Sequence, residues 1–156
     1  MTIQGTVIGN GSVRGVAPGD YALTSDSIAA MEWIRENTPI ESKFIVLSRP
    51  QVQEWTPQIA RRTVLNMQFG SEWEPKERAK IFRFQQLLDN CTDLACIEVA
   101  ITAITSYSDE FIYVLLDRNQ LYKFWPPSEQ QNVEFVWENN ELGLIRLLRA
   151  EACPAR

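Results

Sequence analysis

The sequence predicts an α/β fold, a layered sandwich in which a mixed sheet of about five strands carries packed helices and ends in a C-terminal β-hairpin. Three observations point there. Apolar residues recur at helical spacing in several segments, and short apolar runs lie between them. The run Phe111–Leu116 is almost wholly apolar between Asp109-Glu110 and Asp117-Arg118, as expected of a strand covered on both faces. Near the end, Val133, Phe135 and Trp137 alternate with Glu134 and Glu138 before Asn139-Asn140, a pair that tolerates positive φ in a hairpin turn.

Residues 1–22 hold five of the seven glycines and read as a linker or disordered N-terminus, because so little apolar surface cannot offset the entropy of ordering. Gly9-Asn-Gly11 lacks the third glycine of a dinucleotide loop and has no strand–turn–helix context. Residues 23–149 form the single domain, and 150–156 a frayed tail. Ser25-Asp26 caps a first helix to about Asn37, with Ile28, Ala30, Met31 and Ile34 inward and Trp33 at the stripe's edge. Thr38-Pro39 ends it, since a residue before proline avoids the α region. Phe44–Leu47 is a buried-type strand. Arg49-Pro50 opens a polar loop that presents Glu54, Trp55 and Pro57, with one helical turn over Pro57–Arg61. Thr63–Leu65 is a second short strand, followed by a loop through Gly70 to Glu74.

Pro75 begins the longest helix, to about Asn90, with Ile81, Phe84 and Leu88 inward, Leu87 beside them and a solvated charged face. Thr92-Asp93 caps another helix over 93–105, where Leu94, Ile97, Ile101 and Ile104 keep helical spacing despite their β-branching. Strand Phe111–Leu116 follows. Trp125-Pro126-Pro127 demands a loop or an edge, and residues 133–148 make the hairpin.

Composition narrows function. The 156 residues are 45% apolar and 22% charged, with 15 basic against 20 acidic side chains and a net charge of −5. Arg61-Arg62 is the main basic pair, too little for the basic stripe of a nucleic-acid partner. No apolar run approaches the roughly 18 residues of a spanning helix, and the N-terminus lacks the basic end and apolar core of a signal peptide. A chain starting naturally at Met1 and a soluble part of a larger membrane protein both fit this. Histidine is absent, so the commonest general base and zinc ligand are missing. Ser48 and Ser71 have no histidine partner and no nucleophile elbow. No carboxylate cluster has calcium-loop spacing, and no cofactor is expected. Cys91 and Cys96, at a Cys-x4-Cys spacing, are either two semi-buried thiols or a bridge, depending on the redox compartment.

Loops at the carboxyl ends of strands are where open α/β sheets place ligand-contacting residues. Glu54, Trp55, Arg61, Arg62, Glu72 and Trp73 fall in such loops, and carboxylates beside an aromatic ring are what a sugar site uses. The competing reading is that the two tryptophans cap the core while Glu54–Arg61 or Glu72–Arg62 pair as surface ions.

Taken in order, Ala29-Ala-Met-Glu-Trp-Ile-Arg-Glu-Asn-Thr-Pro39, a strand ending Val46-Leu47-Ser48, the loop at Trp55 and Ile59-Ala-Arg-Arg-Thr-Val64 form a pattern. It resembles the extracytoplasmic C-terminal domain of polytopic, lipid-phosphosugar-dependent membrane glycosyltransferases, the family of the oligosaccharyltransferase catalytic subunit. The closing string Val133-Glu-Phe-Val-Trp-Glu-Asn-Asn-Glu-Leu-Gly-Leu-Ile-Arg146 resembles the final hairpin of bacterial domains of this kind. The resemblance spans about Ser25 to Leu148. Where the transferase carries Trp-Trp-Asp-Tyr-Gly, this chain reads Glu54-Trp-Thr-Pro-Gln58, so only Trp55 carries over and acceptor-peptide recognition does not. The family's catalytic carboxylates lie between membrane helices that this chain lacks.

The resemblance therefore implies a noncatalytic accessory or recognition domain on the extracytoplasmic face of a membrane. Its partners would be the membrane-spanning part of a parent chain and a glycan or acceptor peptide. That location favours a Cys91–Cys96 bridge, which requires Cα atoms within about 7 Å. The alternative is a free-standing, cytoplasmic α/β module that binds a small molecule or partner. The parent reading frame separates the two.

Overall fold

A computed structural model describes residues 22–67, 75–104, 111–124 and 133–148. The chain runs α1 (Ser25–Asn37), β1 (Lys43–Leu47), α2 (Pro50–Ile59), β2 (Thr63–Val64), α3 (Pro75–Asp89), α4 (Leu94–Thr102), β3 (Ile112–Asp117), α5 (Arg118–Phe124), β4 (Val133–Glu138) and β5 (Leu142–Leu147). The five strands form one mixed sheet in the order β2-β1-β3-β5-β4. β1 is parallel to β2 and β3, and β5 is antiparallel to β3 and β4.

Both faces of the sheet are covered, because alternate residues of the central strands point to opposite cores. Phe44, Val46, Tyr113, Leu115, Leu142 and Leu144 meet Ala30, Met31 and Ile34 of α1 and Val52 of α2. Ile45, Ile112, Val114, Leu116 and Ile145 meet Phe84 and Leu88 of α3, Ile97 and Ile101 of α4, and Leu121 of α5. The result is a three-layer α/β/α sandwich. This is why β3 reads as an unbroken apolar run: five of its six residues are buried.

Helix α1 starts one residue earlier in its cap than the sequence suggests. Thr24, not Ser25-Asp26, is the N-cap, and its hydroxyl accepts from the Ser27 N–H at 3.1 Å. Ser27 is fully buried in place of Ile28, which is 38% exposed. At the other end Thr38 leaves the helix with extended backbone before Pro39, and its hydroxyl donates to the Ile34 carbonyl at 2.7 Å. In α3, Phe84 and Leu88 are buried while Leu87 is exposed, and Asp93 caps α4 by accepting from the Cys96 N–H. Ile104 falls beyond the end of α4 and is exposed.

The main departure from expectation is the stretch after β1. Residues expected to form a polar loop and a single turn are one helix, α2, from Pro50 to Ile59. Pro50 takes the first helical position, where its missing N–H costs nothing. Pro57 sits inside the helix and deprives the Gln53 carbonyl of its usual donor. The helix persists because Val52, Thr56 and Ala60 form a buried stripe against the sheet. Thr56 also donates its hydroxyl to the Val52 carbonyl at 2.5 Å.

Arg61 and Arg62, adjacent in sequence, have opposite fates. Arg61 is exposed and carries φ of 54°, the left-handed conformation that ends α2. Arg62 is only 6% exposed. Its Nη1 donates to the carbonyls of Ala60 (3.2 Å) and Arg61 (3.1 Å), its Nη2 to those of Arg35 (2.8 Å) and Thr38 (2.5 Å), and its Nε to the Thr38 hydroxyl (3.1 Å). Arg62 thus ties the C-terminal ends of α1 and α2 together, where carbonyls gather negative partial charge.

β2 has only two residues, yet the sheet continues beyond it through a side chain. The buried Asn66 amide accepts from the Val46 N–H at 3.0 Å and donates to the Val46 carbonyl at 2.9 Å, imitating a paired strand. The glycine-rich segment up to Tyr21, the loop carrying Glu72 and Trp73, the Trp125-Pro126-Pro127 run and the tail from Arg149 lie outside the described residues.

Candidate functional site

The chain leaves β1 through α2 on one face, reaches β2 at the edge, and returns through α3 and α4 on the other face to β3. β3 in turn leads into α5 on that second face, so the connections leaving the neighbours β1 and β3 diverge at their carboxyl ends. This is a topological switch point, where doubly wound sheets open a crevice. Here the crevice has a volume of about 630 Å³. Such a volume lies within the usual range of small-molecule sites.

Each wall follows from the fold. Ser48, the first residue after β1, donates its hydroxyl to Asp117 Oδ1 at the end of β3, at 2.5 Å across the switch point. Gln53, on the first turns of α2, donates to the Asn66 carbonyl at 2.8 Å and to Gln85 Oε1 at 3.3 Å. Asn66 Nδ2 donates to the same Gln85 oxygen at 3.1 Å, and Gln85 Nε2 donates to Asp89 Oδ1 at 2.7 Å. Gln120 of α5 closes the third side, and its buried Oε1 has no hydrogen-bond partner among the described residues. Leu88 and Phe124 supply apolar floor. Cys91, also in the lining, is bonded to Cys96, with Cα atoms 5.3 Å apart, so a disulfide staples the α3–α4 turn beside the crevice.

Arg49 stands at the rim but faces away from the polar wall. Its Nη2 lies 3.0 Å from Glu141 Oε2 and 3.1 Å from the Ser27 hydroxyl. The same carboxylate oxygen accepts from the hydroxyls of Thr24 (2.5 Å) and Ser27 (3.1 Å). These partners, the Thr24 hydrogen bond first, hold the Glu141 carboxyl below its ordinary value against the opposing effect of partial burial. The cluster joins the start of α1, the β1–α2 turn and the hairpin turn at one end of the sheet. Asn139 completes that turn by accepting from the backbone of Glu141 and Leu142.

The residues singled out by sequence occupy different places. Glu54 and Trp55 lie on the solvent face of α2, with Trp55 47% exposed, and neither lines the crevice. Arg61 lies past the end of α2, about 9 Å further along the helix axis than Trp55 and at the amino end of β2. Arg62 is a buried structural tie rather than a surface ion. Glu72 and Trp73 lie outside the described residues. Ser48, Asp117, Gln85, Asp89 and Gln120 were not singled out as a group. The available signal was the apolar run Phe111–Leu116 ending in Asp117, which marks a strand's carboxyl end.

Chemically the crevice holds hydrogen-bonding groups without a relay. Ser48 meets a carboxylate directly, and the chain has no histidine to place between them. No cluster of three or more potential metal-ligating side chains occurs among the described residues. No helix among the described residues is long and apolar enough to cross a membrane. No protein-family model, curated protein or solved structure matches this chain.

Proposed function

We propose that this chain is a noncatalytic recognition domain that binds a small polar ligand in the switch-point crevice. The observation that carries the proposal is the crevice itself. It gathers the Ser48–Asp117 contact and the Gln53–Gln85–Asp89 chain beside apolar side chains. Hydrogen-bonding groups converging over an apolar surface are the usual form of a small-molecule site.

Its proposed setting is the extracytoplasmic side of a bacterial membrane protein of the glycosyltransferase type, with the membrane-spanning part of the same chain as partner. The order of the motifs from Ala29 to Val64 and from Val133 to Arg146 supports that setting. So does the Cys91–Cys96 bridge, since disulfides persist in oxidising compartments. The recognised molecule would then be a glycan or an acceptor peptide presented to the parent protein.

The test is an amide-resolved NMR titration of the 156-residue chain with short glycans and acceptor peptides. Shifts should centre on Ser48, Gln53, Asp89 and Gln120 and persist in a Trp55→Ala variant. Shifts confined to the Trp55 face of α2 would move the site off the crevice. Turnover of any glycosyl donor by the purified chain would end the noncatalytic reading.

A further inference from the structure

We infer that the groove between the β2 edge of the sheet, α3 and the end of α4 is a separate binding site for a small amphiphilic anion, an aliphatic chain that ends in a carboxylate. The groove shares no lining residue with the crevice, and neither reading depends on the other.

The sheet ends at β2, a strand of two residues, whereas α3 runs for 15 residues and α4 for nine along the face beside it. A concavity of about 640 Å³ is left between them, within the usual range of small-molecule sites. Ile104 continues the inward spacing of Ile97 and Ile101, and Leu87 flanks that of Phe84 and Leu88. Yet Ile104 is 38% and Leu87 41% exposed, and both line this groove. Half-buried Leu65 and Ile81 complete its apolar wall. Apolar side chains gathered in one concavity, rather than scattered singly, mark a surface that binds.

Charge decides the head group. Lys80 and Arg83 stand on the α3 side of the groove, and among the described residues no carboxylate lines it, in a chain whose net charge is −5. Arg83 is exposed and forms no ion pair among the described residues. Long cationic side chains lay their methylenes along apolar surface and keep the charge at the watery rim. A matching ligand places its tail inside and an anionic head at that rim.

The tail must be apolar along its length. Apart from Lys80 and Arg83, every described side chain in the lining is a hydrocarbon, so none could satisfy hydroxyl or amide groups carried into the groove. Tail length should therefore supply most of the affinity, each methylene taken out of water tightening binding up to about fourfold. The ion pair at an exposed rim adds less, about two- to fivefold, and sets the preference for a negative head.

The experiment titrates ¹⁵N-labelled chain with octanoate, decanoate and decylammonium, each below its micellar concentration. Saturable shifts should centre on Leu65, Arg83, Leu87 and Ile104 and leave Ser48 and Gln120 unmoved. Decanoate should bind at least about threefold more tightly than octanoate, and at least about threefold more tightly than decylammonium. Arg83→Glu changes an exposed side chain and sets a carboxylate against Lys80, so it should erase the preference for decanoate over decylammonium without lowering the melting temperature. Leu87→Ser should weaken both decyl ligands alike, by about threefold or more. Equal affinity for decanoate and decylammonium in the parent chain, or a preference that survives Arg83→Glu, would overturn the inference. So would shifts that lie away from the groove or fail to saturate. None of these outcomes bears on glycan binding in the crevice.

Discussion

Replacing Arg62 by alanine should destabilise the fold by about 3 kcal/mol, although the residue touches no acidic partner among the described residues. The guanidinium satisfies four carbonyls and one hydroxyl at the meeting of two helix ends. Of the four carbonyl bonds, those to Ala60 and Thr38 are buried, and those to Arg35 and Arg61 are partly exposed. Water replaces the latter two. The former two lose their donor inside the protein, at about 1–3 kcal/mol each. Relief of the desolvated charge, and water entering the vacated space, pull the sum toward the lower half of the resulting range of about 2–6 kcal/mol. A loss near 3 kcal/mol is a large share of the roughly 5–15 kcal/mol that holds a domain together.

Urea denaturation followed by tryptophan fluorescence measures this directly, as a lower midpoint at unchanged slope. Arg62→Lys should lose most of the same stability, because one ammonium cannot span carbonyls fixed by a planar fork. A midpoint for Arg62→Ala within about 0.5 kcal/mol of the parent would refute the reasoning, since that is the scatter of ordinary surface changes. So would an equal loss in Arg61→Ala.

Other outcomes follow from neighbouring features. Arg61→Gly should stabilise by about 0.5–1 kcal/mol, because glycine adopts the left-handed φ of 54° without the Cβ penalty; a loss in the same urea assay would contradict this. Gly143→Ala places a Cβ 2.6 Å from Leu121 Cδ2, and Leu121 is only 2% exposed. The overpacking should cost about 1–3 kcal/mol, and pairing it with Leu121→Ala should recover part of that loss. The Cys91–Cys96 bridge closes a short loop, so reducing it, or substituting both cysteines by serine, should lower stability by about 2 kcal/mol. Alkylation of unfolded, unreduced protein at Cys91 or Cys96 would count against the bridge.

The Glu141 carboxyl is held below its ordinary value near 4.5. Its contribution is therefore fully present above that pH and is lost as pH falls through the lower, folded value. A thermal-stability profile from about pH 6 to pH 3 should be shallower in Glu141→Gln than in the parent. Parallel profiles would show that Thr24, Ser27 and Arg49 do not hold the charge.

Local patterning determined much of the architecture. The apolar run of β3, the Asn139-Asn140 turn and the stripes of α1, α3 and α4 each act over a few residues. Hydrophobic periodicity along the chain reports them without a partner. The expected alternation of β4, by contrast, is broken by a bulge between Phe135 and Trp137 that leaves Phe135 45% exposed and puts Val133 and Trp137 in different cores. α2 was hidden because Pro57, inside it, is a strong local signal against a helix, while Pro50 suits a first helical position but by itself announces none. What overrides Pro57 is the burial of Val52, Thr56 and Ala60 against a sheet built from distant strands. The two arginines at 61 and 62 look alike in sequence, and only the meeting of two helix ends makes one a tie and leaves the other in solvent.

The crevice lay furthest from local reach. Ser48 and Asp117 stand 69 residues apart and meet at 2.5 Å because β1 and β3 are neighbours in the sheet, while β2 lies outside them. That strand order is set by which faces the connecting helices cover. A one-dimensional pattern records the faces each element must bury, but which elements bury them against one another is decided only by the packed whole.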